Sequence, residues 1–560
     1  MRPPEFRRGR RGITGKTLSL LIAFVLVNAL LVGPEWLREG SRAPWVALEG
    51  VLVVGLFAVL PRSRGSLALA GLASAALVLV GTVALADTVA RQSLGRDLNL
   101  YLDIHLARSV YHLMTGTLGL GVAALVVVGT TVGVVATTWL IAWLLSPTGT
   151  QAWNGLGRAT AVALVPLSVA ALASETPPDL EGRLALPGVR LVTNQTGYLV
   201  RMLDERRRFS DELGTTPIHA PTDHDLFLHL RDSDVLLAFV ESYGLSAIDD
   251  PRYAPVIGPR LEDLATRVTD AGLHLATGQL VAPTQGGQSW FSHLSVLSGL
   301  WVDNQLKYDL LLASGRETLI DDFRRAGHRT VALMPANTLA WPEGERLGYE
   351  EILGRRDIDY AGPALNWVTM PDQFTWSFLE QSVRHSDIDN RPVFVELGLI
   401  SSHAPWTPIL PVLSDWDTIG DGSVFSPWRD AGERPQDLWL DHNRVREHFA
   451  LSVDYAINVV TGYAERYVDD RTLLVVMGDH QPAPLITGDD ASRAVPVHII
   501  SGDRALVQPF WDWGFSDTAF PPVDETPMRM DAFRDWFVRA YSRSATDAQA
   551  YPAAGHRSQR

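Results

Sequence analysis

Two short stretches of this 560-residue chain place metal-ligand chemistry directly after apolar runs. Glu241 heads Glu241-Ser242-Tyr243-Gly244 after the run Val235–Val240. Gly478-Asp479-His480-Gln481-Pro482 follows the run Leu473–Met477. Two carboxylates and an imidazole form a donor set that suits Mn2+ or Zn2+ and, less well, Mg2+. Taken singly, a glutamate after a strand is an ordinary helix cap or surface residue, and an isolated Gly-Asp-His is an ordinary turn. The two stretches gain meaning only if the fold joins them.

Two further stretches carry groups that act on phosphate esters. In Gly286-Gly287-Gln288-Ser289, two glycines precede a run, Ser289–Leu300, that can be helical. Ser289 then stands at the helix start, where free N–H groups and the helix dipole favour an anion. The bland reading is an N-cap serine. The functional reading needs a cation beside it, which lowers the hydroxyl pKa and makes the oxygen a nucleophile near neutral pH. His403, in Ser401-Ser402-His403-Ala404-Pro405, has the chemistry to donate to a phosphoryl oxygen or to protonate a leaving group.

The elements needed to position these residues are readable from residue 232 onward. Val235–Val240, Thr330–Met334, Val393–Ile400, Leu473–Met477 and Val495–Ile500 read as buried strands, and 261–271, 316–326 and 446–467 as helices. Strands alternating with helices predict a mostly parallel sheet covered on both faces. In such sheets a site lies beyond the carboxyl ends of the strands. Glu241, His403, Asp479 and His480 all follow a strand. His498, within the last strand, reads as a core or surface histidine, with a place behind the ligands or beside the substrate as the alternative.

The first 174 residues are different in kind. Five apolar runs stand out: Ile13–Gly33, Pro44–Leu60, Leu67–Ala86, Leu118–Leu145 and Ala159–Ser174. A crossing needs about 20 apolar residues, and the second and fifth runs are short for it. Arg2, Arg7, Arg8, Arg10, Arg11 and Lys16 place the N-terminus in the cytoplasm, with Arg62, Arg64 and Arg158 in later cytoplasmic loops. Five crossings then put the chain after Ser174 outside. The segment Leu98–Leu113 is expected either to lie on the membrane surface or to form a solvated loop. Net charge divides the same way: residues 1–174 carry +7, and the whole chain −15, leaving −22 for the rest. An acidic exported part excludes a nucleic-acid partner. Absence of cysteine excludes disulfides, thiolate metal sites and thiol nucleophiles. A transporter would need ionisable groups along a path within the crossings, where only Glu49 stands. The resulting division is a transmembrane domain at 1–174, a linker with some helix at 175–230, a catalytic domain at 231–545 and a tail at 546–560.

In this order, a strand ending in Glu, a Gly-rich turn with a hydroxyl residue opening a helix, Ser-x-His-x-Pro and a strand ending in Gly-Asp-His resemble the alkaline phosphatase/sulfatase superfamily. The closest resemblance is to its membrane-anchored branch of lipoteichoic acid synthases, phosphoglycerol transferases and phosphoethanolamine transferases. It covers nearly the whole chain. It implies a transmembrane bundle of about five helices followed by an α/β alkaline-phosphatase-like domain. It also implies one divalent metal (Mn2+ or Zn2+, with Mg2+ as a third choice) held by Glu241, Ser289, Asp479 and His480. Ser289 matches the nucleophile, usually threonine in this branch. His403 matches a histidine that contacts the transferred phosphate, and Trp341 a substrate-gripping tryptophan. The expected donor is a membrane phospholipid, and the expected acceptor an envelope glycan, glycolipid or polymer.

Departures narrow these expectations. After Trp341 come Pro342 and Glu343, and the next arginine, Arg346, has a different spacing from that of lipoteichoic acid synthases, which disfavours glycerol phosphate. Phosphoethanolamine transferases typically carry cysteine pairs, absent here. His293 stands where sulfatases need arginine, which disfavours sulfate esters. Tyr360, Trp367 and the run 370–373 belong to a shared stretch without an assigned role. The alternatives are a phosphodiesterase or phosphatase that uses water, and a degenerate, metal-free binding protein.

Overall fold

The structure, a computed structural model, describes residues 8–104, 106–146, 183–215, 226–385, 390–523 and 526–542. It divides into two compact units, one of residues 1–92 and 96–205 and one of 93–95 and 206–560.

The first unit is helical. Among the described residues, three helical segments are long and apolar enough to cross a membrane: Leu18–Arg42, Arg64–Leu94 and Leu120–Leu145. The expected crossing at Pro44–Leu60 is shorter than its apolar run suggests. Its first residues form β1 (Val46–Ala47), which pairs in parallel with β2 (Leu184–Ala185). The helix that follows, Leu48–Val59, has 12 residues. At 1.5 Å per residue it covers about 18 Å of the roughly 30 Å hydrocarbon layer. The run Ala159–Ser174, Arg2, Arg7, Arg158 and the tail 546–560 lie outside the described residues. The segment 98–113 is largely helical, as Leu100–Asp103 and the start of Leu106–Leu118. Much of the stretch read as a linker is one helix, Pro187–Leu213. The Glu49 carboxylate caps that helix, accepting from the Val189 N–H at 3.0 Å. An acid at a helix N-terminus meets unpaired N–H groups and the positive dipole end.

The second unit is an eight-stranded sheet. Its strands are β3 (Asp234–Val240), β4 (His274–Val281), β5 (Arg329–Met334), β6 (Glu351–Gly354), β7 (Val393–Leu399), β8 (Thr472–Gly478), β9 (Ala494–Ser501) and β10 (Met528–Arg529). They lie in the order β10-β4-β9-β8-β3-β7-β5-β6, and only β9 runs against its neighbours. The inner strands are apolar almost throughout because helices cover both faces. Leu236, Ala238 and Val240 of β3 enter one core, while Val235, Leu237 and Phe239 enter the other. β4 escaped the sequence reading because Thr277, Gly278 and Gln279 interrupt its apolar run. Gly278 is required there: a Cβ would sit 2.4 Å from the Phe515 ring.

Buried ion pairs tie the sheet to its cover. Arg384 donates to Asp234 at the start of β3 (2.9 Å), to Glu380 (2.6 Å) and to Thr472 at the start of β8 (2.8 Å). Arg534, on the helix Ala532–Ser542, pairs at 2.8 Å with Asp322 on the helix Leu319–Arg325; their side chains are 3% and 0% exposed. Burial outweighs the pairing with Arg534 and pushes the Asp322 carboxyl up to about 6. An acid raised in the folded state contributes stability that is fully present below its unfolded value near 3.9 and is lost as pH rises through about 6. Thermal unfolding of the detergent-solubilised chain should therefore show a midpoint that falls between about pH 4 and pH 6 and levels off above it. Asp322→Asn should flatten this slope. An unchanged slope in the variant would assign it to other groups.

Candidate active site

Three adjacent strands in the order β8-β3-β7 end together, and the groups that follow them converge. Potential ligand atoms of Glu241, Asp479 and His480 all lie within 4.8 Å of one another. His480 Nε2 is 3.5 Å from Glu241 Oε1 and 3.6 Å from Asp479 Oδ2. Two glycines permit the approach. A Cβ on Gly478 would lie 1.8 Å from the Tyr243 carbonyl oxygen, and one on Gly244 would lie 1.9 Å from Gln481 Oε1. Ser242, beside Glu241, has φ +56°. A non-glycine residue in that region persists only when its surroundings hold it there.

Backbone donors orient the trio. Asp479 Oδ1 accepts from the Ser242 N–H (2.8 Å) and the His480 N–H (2.6 Å), leaving Oδ2 for another partner. Glu241 Oε1 accepts from the Ser242 hydroxyl at 2.7 Å. His480 Nδ1 lies 2.9 Å from the Gln481 carbonyl, so Nδ1 carries the proton and Nε2 a lone pair. That Nε2 is buried without a hydrogen-bond partner.

The electrostatics belong to a site short of positive charge. Burial and the neighbouring Glu241 charge raise the Asp479 carboxyl well above its usual range. Burial also works to raise Glu241, but the charges of His403 and His480 and the Ser242 hydroxyl bring it below its usual value. His480 is lowered chiefly by burial; Glu241 opposes this, while His403 and His293 add to it. Two facing carboxylates, an orphaned buried imidazole nitrogen and a mixed oxygen/nitrogen donor set fit a divalent cation.

Ser289 opens the helix Ser289–Ser298, as its Gly-rich approach suggested. Gly286, Gly287 and Gln288 have φ of +71°, +143° and +63°, and this left-handed turn aims the helix. The turn is fastened to the Asp479-His480 loop. Gly286 N–H donates to the Gln481 carbonyl at 2.8 Å, and Gln285 Nε2 to the Pro482 carbonyl at 3.1 Å. The Ser289 hydroxyl is partly exposed and makes no hydrogen bond among the described residues. His403 stands after β7, near enough for its charge to act on Glu241 and His480, with its ring centroid 5.3 Å from that of Trp367. Ser402 ties this loop to β3 by donating to the Glu241 carbonyl at 2.6 Å. Trp341 packs against Tyr349 with ring centroids 6.2 Å apart. No contact among the described residues joins Trp341 directly to the trio. His498 is a core residue held between Tyr243 and Thr277, each at 3.0 Å.

Sequence reasoning passed over two buried acids. Asp372 accepts from the Ile400 N–H (2.8 Å) and the Ser401 N–H (2.9 Å), fixing the turn that leads to His403. Burial pushes it up to about 6. Glu396 sits mid-strand in β7 and is 1% exposed. A lone acid in an apolar strand was a readable signal.

No protein-family model matches the chain, and no curated protein matches it in sequence. Among solved structures it is similar to the lipoteichoic acid synthase LtaP from Listeria monocytogenes, with 12% identity, TM-score 0.35, and 58% of this chain and 73% of that one covered. It is also similar to the Streptococcus pyogenes phosphoglycerol transferase GacH in complex with sn-glycerol-1-phosphate, with 13% identity, TM-score 0.35, and 61% and 91% covered. A third is the C-terminal periplasmic domain of EcEptC from Escherichia coli, with 14% identity, TM-score 0.32, and 57% and 90% covered.

Proposed function

We propose that this chain is a membrane-anchored transferase of the alkaline phosphatase/sulfatase superfamily. It moves a phosphate-linked head group from a membrane phospholipid to an envelope acceptor, through a covalent adduct on Ser289. The observation that carries the reading is the convergence of Glu241, Asp479 and His480, with an orphaned His480 Nε2, beside a loop that delivers Ser289.

Glu241, Asp479 and His480 would hold the divalent cation, with the Ser289 oxygen as a fourth ligand. When bound, the cation lowers the pKa of the Ser289 hydroxyl and offsets charge on the phosphoryl oxygens. The Ser289 oxygen attacks phosphorus, the bond from phosphorus to the diacylglycerol oxygen breaks, and the head group stays on serine. The free N–H groups at the start of the helix Ser289–Ser298 would donate to the phosphoryl oxygens. His403 stabilises the transferred group, and an acceptor hydroxyl then displaces Ser289. The basic N-terminus supports a cytoplasmic start and a catalytic unit on the other side of the membrane. The acidic exported part and the apolar helices suit a lipid donor held close by an anchor rather than by charge.

Mass spectrometry of the purified full chain, incubated with Mn2+ and vesicles of mixed phosphatidylglycerol and phosphatidylethanolamine, tests this reading. The expected result is a mass increment on Ser289 equal to one head-group phosphate, and its size identifies the donor. An increment on another residue, or none with turnover proceeding, sinks the assignment.

A further inference from the structure

Glu396 is a buried acid that the trio does not use. It projects from β7, the strand that leads to His403, and a carboxylate buried there is costly unless it is paired. Its partners are specific. His293 Nδ1 lies 2.7 Å from Glu396 Oε1, and the Tyr349 hydroxyl donates to Glu396 Oε2. Burial holds the Tyr349 phenol well above its ordinary value, so it stays the donor. With the Tyr349 hydroxyl donating to Oε2, the short contact to Oε1 is completed by a proton on His293 Nδ1. The imidazole is further fixed by stacking on Phe239, with centroids 3.8 Å apart and planes 18° from parallel.

This leaves Nε2 as the working nitrogen, and it makes no hydrogen bond among the described residues. His293 lies four residues after Ser289 on the same helix. Residues at that spacing share a face, about 6 Å apart at Cβ, and a helical side chain leans toward the N-terminus, here toward Ser289. The His293 charge also reaches His480. A hydroxyl, an imidazole and a carboxylate in series, with the carboxylate fixing the tautomer, are the parts of an activated nucleophile.

We propose that His293, oriented by Glu396 and Tyr349, takes the proton of Ser289 in the first half-reaction and returns it in the second. This rests on Ser289 being the nucleophile. As the Ser289 oxygen bonds to phosphorus, its proton moves to His293 Nε2. The bond from phosphorus to the diacylglycerol oxygen breaks on the opposite side, and that oxygen takes a proton from water at the open face. In the second half the acceptor hydroxyl gives its proton to water at that face and bonds to phosphorus. The bond to Ser289 breaks, and Nε2 returns its proton to the serine oxygen. Glu396 and Tyr349 are positioning residues.

The test follows rapid labelling of Ser289 by intact-protein mass spectrometry, in full chain reconstituted with the same phospholipid vesicles and Mn2+. His293→Gln is expected to slow labelling by about 10²-fold or more. Its KM for lipid and its Mn2+ affinity by calorimetry should stay at wild-type values, because His293 is not among the ligands. Glu396→Gln should slow labelling less, again in kcat rather than KM. Added imidazole should restore part of the rate to His293→Gly, which a packing role would not allow; this arm decides the matter if the glutamine variant folds poorly. Labelling of His293→Gln at the wild-type rate, or no rescue of His293→Gly, overturns the proposal. If wild-type Ser289 itself takes no label, the nucleophile assignment fails instead, and the two failures are told apart by that one control.

Discussion

Alanine at Ser289 should lower head-group transfer by about 10⁴-fold or more and abolish the covalent adduct. Loss of a nucleophile from a cooperating set removes nearly all the rate above that left by binding and oxyanion stabilisation. The fold should not suffer. The Ser289 hydroxyl is partly exposed and makes no hydrogen bond among the described residues, so its removal leaves no buried partner unsatisfied. The thermal midpoint without cation should therefore match wild type while a radiolabelled head group no longer moves, and Mn2+ should still bind through Glu241, Asp479 and His480, more weakly for want of the Ser289 oxygen. Ser289→Thr keeps the hydroxyl and should keep the adduct. Undiminished transfer by the alanine variant would remove Ser289 from the chemistry altogether.

Asp479→Asn should uncouple stability from function. The amide oxygen can still accept from the Ser242 and His480 N–H groups, so the turn should hold. One of two facing anions is gone, and the cation-free protein should melt at or above the wild-type temperature. A ligand that binds only the folded state raises its melting point, and does so more the tighter it binds, so Mn2+ should stabilise the wild type and leave the variant flat. Transfer should fall by about 10³-fold or more, the scale of several kcal/mol of charge stabilisation. A variant that melts normally, responds to Mn2+ as wild type does and still turns over would exclude Asp479 as a ligand.

The strands that build the site were legible because they are buried on both faces and therefore almost uninterrupted in apolar character. Glu241, Asp479 and His480 stood out as polar groups at the ends of such runs. β6 and β10 lie at the sheet edges and are too short to leave a pattern. Crossing count was harder. An apolar run says nothing about where its helix begins, and Pro44–Leu60 spends its first residues in β1 rather than in a helix. Tertiary partnership was harder still. Nothing within Val393–Leu399 says that Glu396 meets His293 and Tyr349, because those contacts join residues about 50 and 100 positions apart.

The placement of β3 has a consequence for how the molecule is made. β3 is completed only by β7, which begins at residue 393, and by β8, which begins at residue 472. A chain threaded across a membrane from its N-terminal side presents β3 first, with both hydrogen-bonding edges open, and must wait for most of the unit before either edge is closed. Glu241 likewise waits for Asp479 and His480, so no early fragment can assemble this cluster. On the proposed topology, export of this unit should depend on something that shields an apolar strand during that interval. Nascent chains truncated before residue 472 should aggregate or be degraded, whereas chains carried past residue 542, which include the helix that brings Arg534 to Asp322, should reach a protease-resistant state.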